Sequence, residues 1–224
     1  LIFHNNAPPI PKKFFEKDYQ TLFKSSKLVG SGIGFVGIGA KIFLASPDGG
    51  EIFTVTGKNE ILAARWRWSE DGPQYITSLK QPLSNVVDLK KFNHKDGTTF
   101  ICRLSLEKFE ELKQEIVKII QFWWNYSLLT QRFEIKVNGK TVNPDIPAGN
   151  KRFPRKFRIG GEEVNCIFWI SDKVIPDDFQ NIIYVVHGKR IENDKQETAI
   201  RVKSDYGCKV FCYANVPMLA KYVT

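Results

Sequence analysis

Five glycines, Gly30, Gly32, Gly34, Gly37 and Gly39, fall within ten residues of the stretch LFKSSKLVGSGIGFVGIGAKIFLAS, which runs from Leu22 to Ser46. A glycine inside a helix or strand costs about 0.5–1 kcal/mol relative to alanine, so a regular element through this segment is excluded. The segment reads as a loop whose bare backbone can approach a ligand closely, with Lys27 and Lys41 at its flanks. Glycines and lysines bury little apolar surface, so residues 22–36 are expected to be a lid that moves when no ligand holds it. From Ala40 the apolar run AKIFLAS predicts a buried helix at the loop's end.

The rest of the chain has enough apolar material to hold such a loop in place. With 224 residues and 42% hydrophobic content it can bury a core of one large or two small domains. Seventeen Phe and five Trp exclude a disordered polypeptide. No stretch reaches the roughly 20 apolar residues of a membrane span, so no membrane partner and a cytoplasmic location are expected. The opening LIFHNN carries neither Met nor a signal pattern, and reads as a fragment that begins inside a strand.

Cys102, Cys166, Cys208 and Cys212 lack the two-residue spacing of a zinc knuckle and read as reduced thiols. Cys208 and Cys212 would share one face of a strand. His4, His94 and His187 lie in separate segments, which argues against a histidine-based metal or acid–base centre. The net charge of +9 concentrates in GNKRFPRKFRIGG, where Lys151, Arg152, Arg155, Lys156 and Arg158 surround Phe153 and Phe157. That stretch reads either as a DNA-contacting strand or as a solvated basic edge.

Along the chain, residues 1–4 predict the end of a strand, and NNAPPIP a proline-enforced turn. KKFFEKDYQTLFKSSK has helical spacing, while GGEIFTVTG, ILAARWRW, PQYITSLKQ and GTTFICRLS predict strands between turn residues. From Glu107, a long helix is expected to bury a stripe of Phe109, Leu112, Ile116, Ile119, Ile120 and Trp123. FEIKVNGKTV predicts a hairpin turning at Asn138-Gly139. EEVNCIFWIS, NIIYVVHGKRI and CKVFCYANV predict further strands, and VPMLAKYV a short closing helix after Pro217. The expected architecture is α+β, with a mixed sheet in residues 1–105 and a smaller sheet-plus-helix domain in 106–224.

Two phosphate-loop motifs do not fit. A Walker A loop requires Gly-Lys followed by a hydroxyl, whereas Gly39-Ala40-Lys41-Ile42 has neither the spacing nor the hydroxyl. A Rossmann turn requires a preceding strand, and TLFKSSKLV is a poor one. A loop that binds nothing remains open on these residues alone.

The order NNAPPIP, helix, Ser25-Ser26-Lys27, Gly34-Phe35-Val36-Gly37-Ile38-Gly39-Ala40-Lys41, strands, then Asp96-Gly97-Thr98-Thr99-Phe100 resembles the GHKL (Bergerat-fold) ATPases. It is most similar to the B subunit of topoisomerase VI. The motif block covers about a fifth of the chain. The second half more loosely resembles the superfamily's transducer domain, through its long helix, its Asn-Gly hairpin and YVVHGKRIEND. The resemblance implies a partial Bergerat-type α/β sandwich over 1–105, followed by a transducer-like α+β domain, related to domain 2 of ribosomal protein S5, over 106–224.

It also implies ATP as ligand, with Asn5 at the adenine, Thr98 on the strand closing the pocket, and Ser26, Lys27 and Gly34 through Lys41 around the phosphates. The freed amides of the loop and the start of the helix suit an anion, and the two lysines would neutralise polyphosphate charge. Asn5 stands where the family has Asp, and Ala7 and Pro9 stand where it has glycines. An amide accepts from adenine without the ionic component, a loss of about 1–2 kcal/mol. The family's general-base Glu and Mg2+-ligating Asn would lie on a helix before Leu1, so ATP hydrolysis is not legible in these residues. Lys151 and Lys189 are candidates for the transducer lysine that reaches the γ-phosphate.

The implied function is a nucleotide-driven switch that forms a homodimer on binding, as a stand-alone relative of topoisomerase VI B. The alternatives are a degenerate interaction module that does not hydrolyse ATP and a basic DNA-binding protein. Gly37→Val should abolish ATP binding, because a branched side chain forbids positive φ and fills the phosphate space. Lys41→Ala should weaken binding by about 1–3 kcal/mol in calorimetry, the range for a charged hydrogen bond.

Overall fold

A computed structural model describes residues 1–6, 8, 10–17, 50–55, 61–69, 72–79, 97–102, 104–147, 151–175, 181–191 and 210–222. They form an α+β protein with two compact units, the first ending at Lys113 and the second running from Gln114 to the C-terminus. Among the described residues, no helix is long and apolar enough to cross a membrane.

The first unit holds β1 (Ile2–Asn5), α1 (Lys12–Lys17), β2 (Gly50–Val55), β3 (Ile61–Ser69), β4 (Gly72–Leu79) and β5 (Gly97–Cys102). Its strands lie in the order β1-β5-β2-β3-β4. Every described pairing is antiparallel, so the sheet is not mixed as its sequence suggested. Strand direction is a tertiary property: period-2 alternation looks the same whichever way a neighbour runs. A register shift between Ala63 and Arg65 interrupts the β3–β4 ladder, as a β-bulge does.

The helix α2 (Leu106–Leu129) begins at Ser105, whose Oγ accepts from the Lys108 amide at 3.4 Å. That contact satisfies one of the amide donors left unpaired at a helix start. The helix ends on Gln131 at φ 53, with the Arg132 amide donating to the Ser127 carbonyl at 3.0 Å, a left-handed C-terminal closure. The expected apolar stripe is not where this helix is buried. Phe109 and Ile119 remain 38% and 40% exposed, whereas Asn125, Tyr126, Ser127 and Leu128 are buried. Periodicity locates the apolar residues of a helix, but neighbouring elements decide which of its turns are covered.

The second unit's sheet has the order β11-β10-β12-β9-β8, from β8 (Lys151–Ile159), β9 (Glu162–Ile170), β10 (Asn181–Val186), β11 (Lys189–Arg190) and β12 (Val210–Asn215). It is mixed, since β10 and β12 run parallel while the other neighbours are antiparallel. A small hairpin of β6 (Lys136–Val137) and β7 (Lys140–Thr141) precedes it, turning at Asn138-Gly139 as expected. NIIYVVHGKRI is not one strand. It folds back at His187-Gly188, where φ values of 47 and 90 make a two-residue turn. The β8–β9 turn uses Gly160-Gly161 at φ 59 and 85. Two consecutive positive φ values match the right-handed twist of the flanking strands.

Alternation along β9 and β12 divides the second unit's core between the two faces of this sheet. Tyr126, Ile167, Trp169, Ile175, Ile183, Val185, Phe211 and Tyr213 pack on the face that receives the end of α2. The Trp169 and Phe211 rings stack at 4.7 Å between centroids. On the other face Val164, Cys166, Cys212, Ala214 and Val216 meet Met218 and Leu219. The latter two belong to the closing helix (Pro217–Tyr222), which is 3₁₀ rather than α. Asn125 joins these layers: its Nδ2 donates to the Asp145 carbonyl at 2.6 Å and to Tyr213 Oη at 2.8 Å, and its Oδ1 accepts from the Asp145 amide at 2.7 Å.

Burial pushes the Tyr213 phenol from 10.0 up to about 12, against the opposing hydrogen bond from Asn125. A raised acid is held in its neutral form by the fold. Its stabilisation is therefore complete below pH 10.0 and lost as pH rises through about 12. Alkaline titration followed by phenolate absorbance should show one tyrosine ionising only with unfolding, and Tyr213→Phe should remove about 2–3 kcal/mol of that alkaline sensitivity.

Candidate functional site

The GHKL resemblance implies one site for Asn5 and Thr98, and their strands are neighbours in the first sheet. β1 and β5 pair antiparallel with Asn5 directly opposite Thr98, and His4 opposite Thr99. Asn5 is exposed at the end of β1, while Thr98 and Thr99 are 7% and 1% exposed at the start of β5. One side of this corner therefore faces solvent and the other is anchored. His4 Nδ1 lies 3.0 Å from Thr99 Oγ1, a contact in which the imidazole tautomer decides which atom donates.

Gly97 allows the two strands to meet so closely. It is buried at φ +116, and a Cβ there would run into the Asn5 carbonyl oxygen. On its other side Gly97 is in register with Val55 of β2, so it has strands on both flanks. The sequence placed Gly97 at the start of the strand GTTFICRLS, but neither its close approach to Asn5 nor the His4–Thr99 contact was read from it. The signal for that contact was present, because an antiparallel register that matches Asn5 with Thr98 necessarily matches the residue before one with the residue after the other.

The other ATP-contact candidates lie outside the described residues: Ser26, Lys27, Gly34, Phe35, Val36, Gly37, Ile38, Gly39, Ala40 and Lys41. So do the expected lid over 22–36, the helix from Ala40, and Ala7, Pro9 and Cys208. Of the two γ-phosphate lysine candidates, Lys189 lies on β11 with its Nζ 5.2 Å over the Trp123 ring. Lys151 opens β8 and is exposed. Beside Lys189, the Arg190 guanidinium sits 3.9 Å over the Phe122 ring.

Cys166 and Cys212 are free and buried. Burial raises both thiols, Cys212 to about 12, so neither is a nucleophile at neutral pH. Among the described residues, no group of three or more His, Cys, Asp or Glu side chains is placed to hold a metal ion.

No protein-family model matches this chain, and no curated protein matches it at a significant level.

Gly97→Ala should detach β1 from β5, since a side chain at φ +116 is strained as well as blocked by the Asn5 carbonyl. Hydrogen exchange should quicken at the β1 amides that donate to β5, while the β9–β12 amides of the second unit keep their protection.

Proposed function

We propose that this chain is a nucleotide-binding protein of the GHKL type, in which the end of β1 and the start of β5 receive the purine. The observation that carries the reading is the cross-strand apposition of Asn5 and Thr98. Two residues far apart in sequence, singled out for the same base, meet at one corner of one sheet. An Asn amide offers a carbonyl oxygen to an exocyclic amino group and an N–H₂ to a ring nitrogen, and a Thr hydroxyl can donate or accept. Paired in this way, they suit the mixed donor–acceptor edge of adenine.

In this reading the phosphates are held by Lys27 and by Gly34 through Lys41. The first unit is the Bergerat-type half and the second the transducer-like half. ATP is the ligand, and its binding orders the glycine loop and promotes a homodimer, which makes the protein a nucleotide-driven switch related to topoisomerase VI B. The proposal concerns binding and switching, and no hydrolytic step is assigned to the described residues.

Calorimetry and thermal shift with Mg-ATP test it. Saturating ATP at a hundred times its Kd should stabilise the protein by about 2.7 kcal/mol. Thr98→Val should weaken binding about two- to tenfold, the value of one neutral hydrogen bond. Asn5→Asp should tighten ATP relative to GTP by adding charge to the amino-group contact. If neither the parent nor Asn5→Asp binds ATP, the nucleotide reading fails and the interaction-module alternative stands.

A further inference from the structure

We infer that β8 is a binding strand for single-stranded nucleic acid, recognised through its phosphates and by base stacking rather than by sequence. This rests on the second unit alone and is independent of the nucleotide reading. All nine residues of β8 are exposed, and the strand lies at the end of its sheet with β9 as its neighbour. It carries Lys151, Arg152, Arg155, Lys156 and Arg158. Of these, Lys156 is paired with Glu163 at 3.1 Å, and Arg152 sits 5.8 Å over the Trp169 ring. Lys151 and Arg155 have no carboxylate partner among the described residues.

Alternation puts Lys151, Phe153, Arg155, Phe157 and Ile159 on one face of the strand. The register sets Arg155 opposite Cys166 and Phe153 opposite Phe168, which is the face that Met218 and Leu219 cover farther in. That cover stops short of β8: Phe153, Phe157 and Ile159 are 36%, 46% and 54% exposed. Two exposed aromatic rings, about 13 Å apart along the strand, thus flank an arginine on an otherwise cationic edge. Cations that track a backbone beside rings that accept bases are the two elements of sequence-tolerant single-strand binding.

The edge could instead accept an acidic peptide as an added strand, but Pro154 sits in its middle, opposite Ile167. Proline removes a ladder donor, and dense like charge discourages strand addition. Neither feature impedes a polynucleotide, which needs side chains rather than a continuous row of backbone donors.

Fluorescence anisotropy with labelled oligothymidylate, read across a salt series on the full chain, tests the inference. Binding should weaken with salt. The exposed triple variant Lys151→Glu/Arg155→Glu/Arg158→Glu should bind at least tenfold more weakly, with the log–log salt slope reduced by about 2. Phe157→Ala should weaken binding about fivefold or more, and Phe157→Trp should restore it, as stacking requires. Unchanged melting temperatures of these surface variants would confirm that the fold is retained. The inference is overturned if oligothymidylate does not bind at low salt, or if the Phe157 variants leave affinity unchanged. It is equally overturned if a duplex or poly-glutamate of equal charge binds as tightly.

Discussion

Asn125 is the joint on which the second unit turns. Its amide is 3% exposed and makes three hydrogen bonds, to the backbone at Asp145 in both directions and to the Tyr213 hydroxyl. A buried amide left unpaired costs about 1–3 kcal/mol. Asn125 therefore admits one arrangement of three elements: the last turns of α2, the segment after the β6–β7 hairpin, and the parallel strand β12. By contrast, Asn215, on the same strand, is 2% exposed, and its Oδ1 has no hydrogen-bond partner among the described residues. Apolar packing around Trp169 and Phe211 supplies most of the burial, but it is not directional. The polar joint sets the register.

A second polar contact supports the first. Ser127, fully buried, donates to the Gly188 carbonyl at 2.8 Å. Gly188 stands at φ +90, where a Cβ would meet Ser127 Oγ and approach the Arg132 side chain. The turn that closes β10 onto β11 is thereby pressed against the end of the helix. Lys189 and Arg190 follow at once, and their cations lie over Trp123 and Phe122. These aromatic rings, exposed in part along α2, are covered by cations rather than by a further apolar layer.

The first unit solves a different problem. Its β5 lies between β1 and β2, so the start of β5 has a strand on each side. Only a glycine fits where Gly97 meets Asn5, and that close approach makes a corner from an exposed amide and an anchored hydroxyl. Rigid strands hold the candidate purine contacts, which favours precise placement of a small ligand. The basic strand β8 has the opposite character, open along its length and suited to an extended polymer.

Local chemistry was legible in the sequence alone. Asn138-Gly139 announced its hairpin, and the long run from Glu107 announced a helix, because turn conformations and helical periodicity depend on residues within a few positions of one another. EEVNCIFWIS likewise foretold a strand. Tertiary structure decided the rest. The antiparallel order of the first sheet, the parallel pairing of β10 with β12, and the burial of α2 at its C-terminal end all depend on partners distant in the chain. The His187-Gly188 turn was hidden because His is a poor predictor of positive φ, and its conformation is stabilised by contact with Ser127. Asn5 and Thr98 lie on strands far apart in the chain. That they face one another is a fact of strand register, which no local pattern encodes.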